Sequence, residues 1–167
     1  MNGMLINLAR MLRLRGGPQH LPASWPLMIV LLSAYLVQNL VTGQQLEDEN
    51  AAAKSLLAIC VQVFVLTGLL TWRKHLERFA QTMSALAAMG IFFNIITWSL
   101  LSMSDPTSNQ PILALIWFAV FIWSLFVDAH IYRNALSVPF AIGMLVTVLI
   151  LAASYVLIEM LFIFGNT

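Results

Sequence analysis

Between Asp128 and Asn134 the chain gathers an acid, an imidazole, a phenol, a guanidinium and an amide: Asp128, His130, Tyr132, Arg133 and Asn134. Such groups can move a proton, hold a metal or grip an anion, and their spacing decides which. Asp128 and His130 project about 200° apart on a helix, so they cannot chelate one metal ion unless the helix breaks. His130 and Arg133, three apart, share one face; Asp128 and Tyr132, four apart, share another. The cluster suits contact with a phospholipid headgroup or a partner protein. Asp128 can instead pair with cations of the 73–78 connection, an ion pair that would fix helix depth at a membrane rim.

Ionisable residues elsewhere are sparse. Arg73, Lys74, His75, Glu77 and Arg78 crowd one connection, which reads as a solvated topological anchor or a second headgroup site. Arg10 and Arg13 lie near the start of the sequence and are headgroup candidates of the same kind. Glu159 sits about 7 Å inside the last apolar run by helical rise, and Lys54 enters the second run at similar depth. An ionisable residue within a span needs a named partner, so a Glu159–Lys54 pair is expected. His20 falls in a bend and is expected to be solvated.

Uncharged polar groups inside the apolar runs form a second set: Tyr35, Gln38, Asn39, Gln62 and Asn94. Gln38 and Asn39 differ by about 100° around a helix, so one of them faces inward, and Gln38 with Tyr35 is the expected inward pair. Gln62 and Asn94 lie near mid-depth. Amides in lipid hydrogen-bond across helices for about 0.6–2 kcal/mol each; these either pack the bundle or contact a solute.

Other chemistries leave no trace. Cys60 is the only cysteine, which excludes an intramolecular disulfide and a cysteine-based metal site. The three histidines lie in separate segments, so no metal set forms. No phosphate-binding glycine loop, H-E-x-x-H pair or G-x-S-x-G elbow appears. No catalytic residue or cofactor is assigned, and the chain is read as a non-enzyme. A net charge of +1 and the lack of a long basic run argue against nucleic acid.

The elements that must position these groups follow from composition. Of the 167 residues 60% are hydrophobic and 9% charged, and mean hydropathy is +0.88. Soluble domains carry roughly 25% charged residues, so lipid is the solvent for most of this chain. About 20 apolar residues cross a bilayer as a helix. Five runs qualify, at about 25–43, 51–72, 79–103, 111–132 and 138–164. The fold expected is all-α: five transmembrane helices over residues 20–167, preceded by an N-terminal segment, residues 1–19.

That segment carries Met4, Leu5, Leu8, Met11 and Leu12 on one arc with Arg10 and Arg13 elsewhere, the pattern of an amphipathic surface helix. Gly16, Gly17, Pro18 and Pro22 then force a bend. Seven of the eight Lys and Arg fall on one side, Lys54 alone on the other, where Glu47, Asp48, Glu49 and Asp105 also lie. The positive-inside rule makes the N-terminus cytoplasmic and Gly165-Asn166-Thr167 external, in a bacterial inner membrane. Ala87, Gly90, Asn94 and Thr97, with Ser84 and Ala88, mark span three as the central packing helix; spans four and five read as more lipid-facing.

With its bend at Gly16 to Pro22 and its turn from Asp128 to Leu136 into span five, the chain resembles bacterial five-span Yip-domain proteins. The likeness covers roughly residues 20–164 and implies a non-enzymatic membrane scaffold or membrane-shaping protein. Eukaryotic members carry an Asp-Leu-Tyr-Gly-Pro motif where this chain has Gly17-Pro18-Gln19-His20-Leu21-Pro22, so their trafficking role is not carried over. The expected function is an adaptor or accessory subunit contacting membrane lipids and other membrane proteins or itself. The alternative is a lipid or small-solute carrier using Tyr35, Gln62 and Asn94.

Overall fold

In lipid every backbone amide and carbonyl must find a partner within the chain, which leaves the helix as the economical solution for apolar runs of this length. The computed structural model describes residues 2–46, 50–104 and 110–162. Their elements are all helical: α1 (Asn2–Leu12), α2 (Trp25–Gln45), α3 (Ala51–Trp72), α4 (Phe79–Ser102), α5 (Pro111–Leu136) and α6 (Phe140–Phe162). Single 3-10 turns occur at Pro18–His20 and Leu76–Arg78. The last five helices, α4 counted with the turn before it, are long and apolar enough to cross a membrane. The chain is therefore an all-α integral membrane protein. Glu47, Asp48, Glu49, Asp105 and Gly165-Asn166-Thr167 lie outside the described residues, as does the end of the fifth run at 163–164.

Helix starts follow local chemistry. Ser24 accepts a hydrogen bond from the Leu27 amide at 3.4 Å, with Pro26 in the first turn of α2; Pro111 opens α5 in the same way. The end of α5 departs from the expected boundary at residue 132. The helix continues to Leu136 and closes on Ser137 in the left-handed conformation, φ 55°. Its exposed carbonyls explain the extra turn. Arg73 donates to the Leu136 and Ser137 carbonyls, both at 3.3 Å. Arg78 donates to the Asn134 and Ala135 carbonyls at 3.4 and 3.3 Å and to Ser137 Oγ at 3.0 Å. Two guanidiniums from the α3–α4 connection thus satisfy the carbonyl end of α5, where positive charge also favours the helix dipole.

The five long helices contact one another in the cyclic order α2, α4, α5, α6, α3 and back to α2. A regular ring of five at about 9 Å spacing places each axis about 8 Å from the centre, beyond a helix half-width of about 5 Å. The middle must then be filled by side chains or left open. Near the arginine-bearing rim it is filled: Leu66, Leu70, Met83, Ile131 and Leu136 are all buried. Further in, it is not.

The segment before α2 packs on α4 and α5. Met4, Leu8, Met11 and Leu12 face the core, with Met11 fully buried. Leu5, from the same expected arc, is 62% exposed. Trp123 Nε1 donates to the Leu12 carbonyl at 3.2 Å, and Gln81 Nε2 to the Leu21 carbonyl at 2.8 Å. The Trp123 ring also meets Phe93 edge-on, centroids 5.2 Å apart.

The most extensive helix contact is α5 on α6. A Cβ added to Gly143 would strike the Ala129 carbonyl oxygen and lie 3.0 Å from the Arg133 nitrogen, whereas one at Gly68 meets nothing within 4 Å. Gly143→Ala should therefore force the pair apart and cost about 1–3 kcal/mol. Gly68→Ala should be neutral or stabilising by up to about 1 kcal/mol. Thermal unfolding of the two purified variants in one detergent measures both.

Candidate functional site

Asp128 lies about 12 Å from the carbonyl end of α5 by helical rise, and Tyr35 and Gln62 lie about 15 Å along α2 and α3 from the same rim. The three meet where the ring of helices is open. On one side they line a cavity of about 280 Å³ with Asn39, Asn94 and Phe93. On the other they line one of about 190 Å³ with Tyr132, Thr147 and Ser154. Asp128, Tyr35 and Gln62 belong to both walls.

The polar side chains around Asp128 are largely committed to one another. Gln62 Nε2 donates to Tyr132 Oη at 3.0 Å, tying α3 to α5. About 7 Å further along the helices by rise is a second tier. Asn39 Nδ2 donates to the Tyr35 carbonyl at 2.9 Å, and its Oδ1 accepts from Asn94 Nδ2 at 3.2 Å. Thr42 Oγ1 donates to the Gln38 carbonyl at 3.1 Å and lies 3.4 Å from Asn94 Oδ1. Among the described residues none hydrogen-bonds or ion-pairs with the Asp128 carboxylate. The surface it keeps opens onto the two cavities.

Small residues make this space. Ala87, Gly90, Asn94 and Thr97 of α4 all line the larger cavity. A Cβ on Gly90 would lie 2.7 Å from the Tyr35 ring. The stripe expected to admit a neighbouring backbone instead admits a phenol and an opening beside it. α4 is nonetheless the most buried span, as the sequence indicates. Of the two spans expected to face lipid, α5 is as open as α2 and α3, but α6 is the second most buried, because it packs closely on α5 through Gly143.

Several expected roles change. Asp128 is not a rim ion pair: Arg73 and Arg78 are turned to the α5 carbonyls, and the acid faces the interior with Tyr132, four residues on. His130, expected at a headgroup, is instead turned into the protein. It is 6% exposed, and its Nε2–H donates to the Gly16 carbonyl at 2.7 Å, so it holds the bend before α2 against α5. Arg73, still exposed, serves the α5 carbonyl end. Asn39, not Gln38, is the inward partner of Tyr35, because four residues of helix return closer to one face than three. Gln38 Oε1 is buried without a partner.

Glu159 forms no ion pair with Lys54 among the described residues. Both lie within about two turns of a helix end, where a long side chain can reach the interface. Arg10, Arg13, Lys74 and Arg133 stay exposed at the rim. Arg133 lines a rim cavity of about 310 Å³ with Gln19, Arg78 and Asn134. His75 and Glu77 pair at 3.4 Å. Among the described residues no three His, Cys, Asp or Glu gather as metal ligands.

Compared with known proteins, the chain matches no family model, no curated protein and no solved structure.

A carboxylate that supports the fold through a buried ion pair costs about 3–5 kcal/mol when its charge is removed. Among the described residues Asp128 has no such pair. Asp128→Asn should leave unfolding free energy within about 0.5 kcal/mol of wild type, or raise it, since a buried unpaired charge is unfavourable. A large loss of stability in a detergent melt would show that the carboxylate is structural.

Proposed function

We propose that this protein is a non-enzymatic membrane carrier that binds a small polar solute inside the bilayer, in the cavity walled by Tyr35, Asn39, Gln62, Asn94 and Asp128. One observation carries the reading: the polar side chains of four different spans converge on an opening instead of closing it. Amides that serve packing alone fill the space between helices. These leave about 280 Å³ beside an acid with no partner of its own, close to the lower bound of about 300 Å³ for small-molecule sites.

The arginines support an orientation. Arg10, Arg13, Arg73, Lys74, Arg78 and Arg133 support a cytoplasmic rim through the positive-inside rule, and the carrier is proposed to sit in a bacterial inner membrane. The segment before α2 is packed against α4 and α5 on that side and would restrict access from it. The scaffold or accessory-subunit reading, which the Yip-domain resemblance implies, is the alternative. It places the contact surface on the exposed rim at Arg133 and on the lipid-facing aromatics of α5.

Asn94 and Arg133 separate the two. A panel of amino acids, sugars and small amines, added at millimolar concentration to purified protein, should include a solute that raises Tm by several degrees. Asn94→Leu should abolish that rise while Arg133→Glu retains it. No response to any solute, with loss of a co-purifying membrane protein on Arg133→Glu, would instead select the scaffold.

A further inference from the structure

We infer that the solute is a small organic monocation and that Asp128 is its counter-charge; this rests on the carrier reading above and narrows its substrate class. The cavities sharing Asp128 are lined by no lysine, arginine or histidine. Nor does any described cation reach the carboxylate: Arg73 and Arg78 hold the end of α5, and Arg133 projects at the rim. Charges within a bilayer are ordinarily paired with one another or placed on a ligand or ion pathway. Among the described residues no protein group supplies the pairing, and a positive charge on whatever occupies the opening would supply it.

The rest of the lining selects the kind of cation. An inorganic divalent ion needs several oxygen ligands closely disposed, and only one carboxylate is present. The larger cavity has room for about nine waters at roughly 30 Å³ each, too much for a bare ion and enough for an organic one of under about ten heavy atoms. Tyr35 and Phe93 line it, and Tyr35 and Tyr132 line the other. Aromatic rings beside a carboxylate attract ammonium groups through the ring quadrupole as well as through charge. Asn39 and Asn94 at the far tier can orient a polar end. An anionic solute would be repelled by Asp128, and a neutral one would leave its charge unanswered.

The test uses the full-length protein in detergent and charge-matched probes. Tetramethylammonium, tetraethylammonium and butylammonium chlorides are compared with neutral neopentyl alcohol and butanol, with butyrate, and with sodium and potassium chloride. At least one organic cation should raise Tm and bind calorimetrically, while the alcohols and butyrate do not. Asp128→Asn should weaken that binding tenfold or more, and Asp128→Glu should retain part of it.

Binding of neutral solutes alone would overturn the cation inference and leave the carrier reading standing. A response to sodium or potassium alone would overturn the organic class. Equal binding of an organic cation by wild type and Asp128→Asn would remove Asp128 as the counter-charge. No response to any probe of any charge would overturn both readings.

Discussion

Lipid tails are as apolar as leucine, so helices in a bilayer gain nothing by hiding apolar faces from one another. Cohesion has to come from close approach, from hydrogen bonds between spans and from capped ends. Each appears here at a definite place. Gly143 lets α6 press on the backbone of α5. Gln62 with Tyr132, and Asn39 with Asn94, bond across pairs of spans. Arg73 and Arg78 fasten the α3–α4 connection to the end of α5. Against that background Asp128 stands apart, because it contributes to none of the three.

A ring of five helices explains why such a residue can exist. Four helices close on a filled core, but five around a circle leave a centre that side chains must reach. Near the arginine-bearing rim large apolar side chains do reach it. Deeper in, α4 offers Ala87 and Gly90, and the space goes to the Tyr35 ring and to an opening. The carbonyl clamp and the tethered segment before α2, held through His130 and Trp123, fix α5 in depth and rotation. They thereby set where Asp128 points.

Spans and their limits were legible in the sequence because the bilayer imposes one period and one length. α3 matches its expected run at both ends, and the other boundaries fall within a few residues. The cluster from Asp128 to Asn134 was harder. Polar residues after an apolar run ordinarily mark water, yet these continue the helix for another turn, and their faces separate. Asp128 and Tyr132 turn inward, His130 turns to the bend, and Arg133 reaches the rim. The spacing already held that division, since it sets Asp128 with Tyr132 and apart from His130. It could not show that the arginines of the 73–78 connection were occupied by carbonyls. Choosing Gln38 over Asn39 likewise turned on one residue of helical phase, which the four-residue step from Tyr35 to Asn39 would have resolved.

The most direct measurement asks whether the carboxylate position opens onto water-filled space. In a Cys60→Ser background, Asp128→Cys and Val127→Cys are each exposed to a small water-soluble thiol reagent in sealed membrane vesicles. Val127 is fully buried against its neighbours. Rapid modification at position 128 with none at 127 is the expected result. Equal protection of both positions would mean that the centre of the ring is closed, and that no solute meets Asp128.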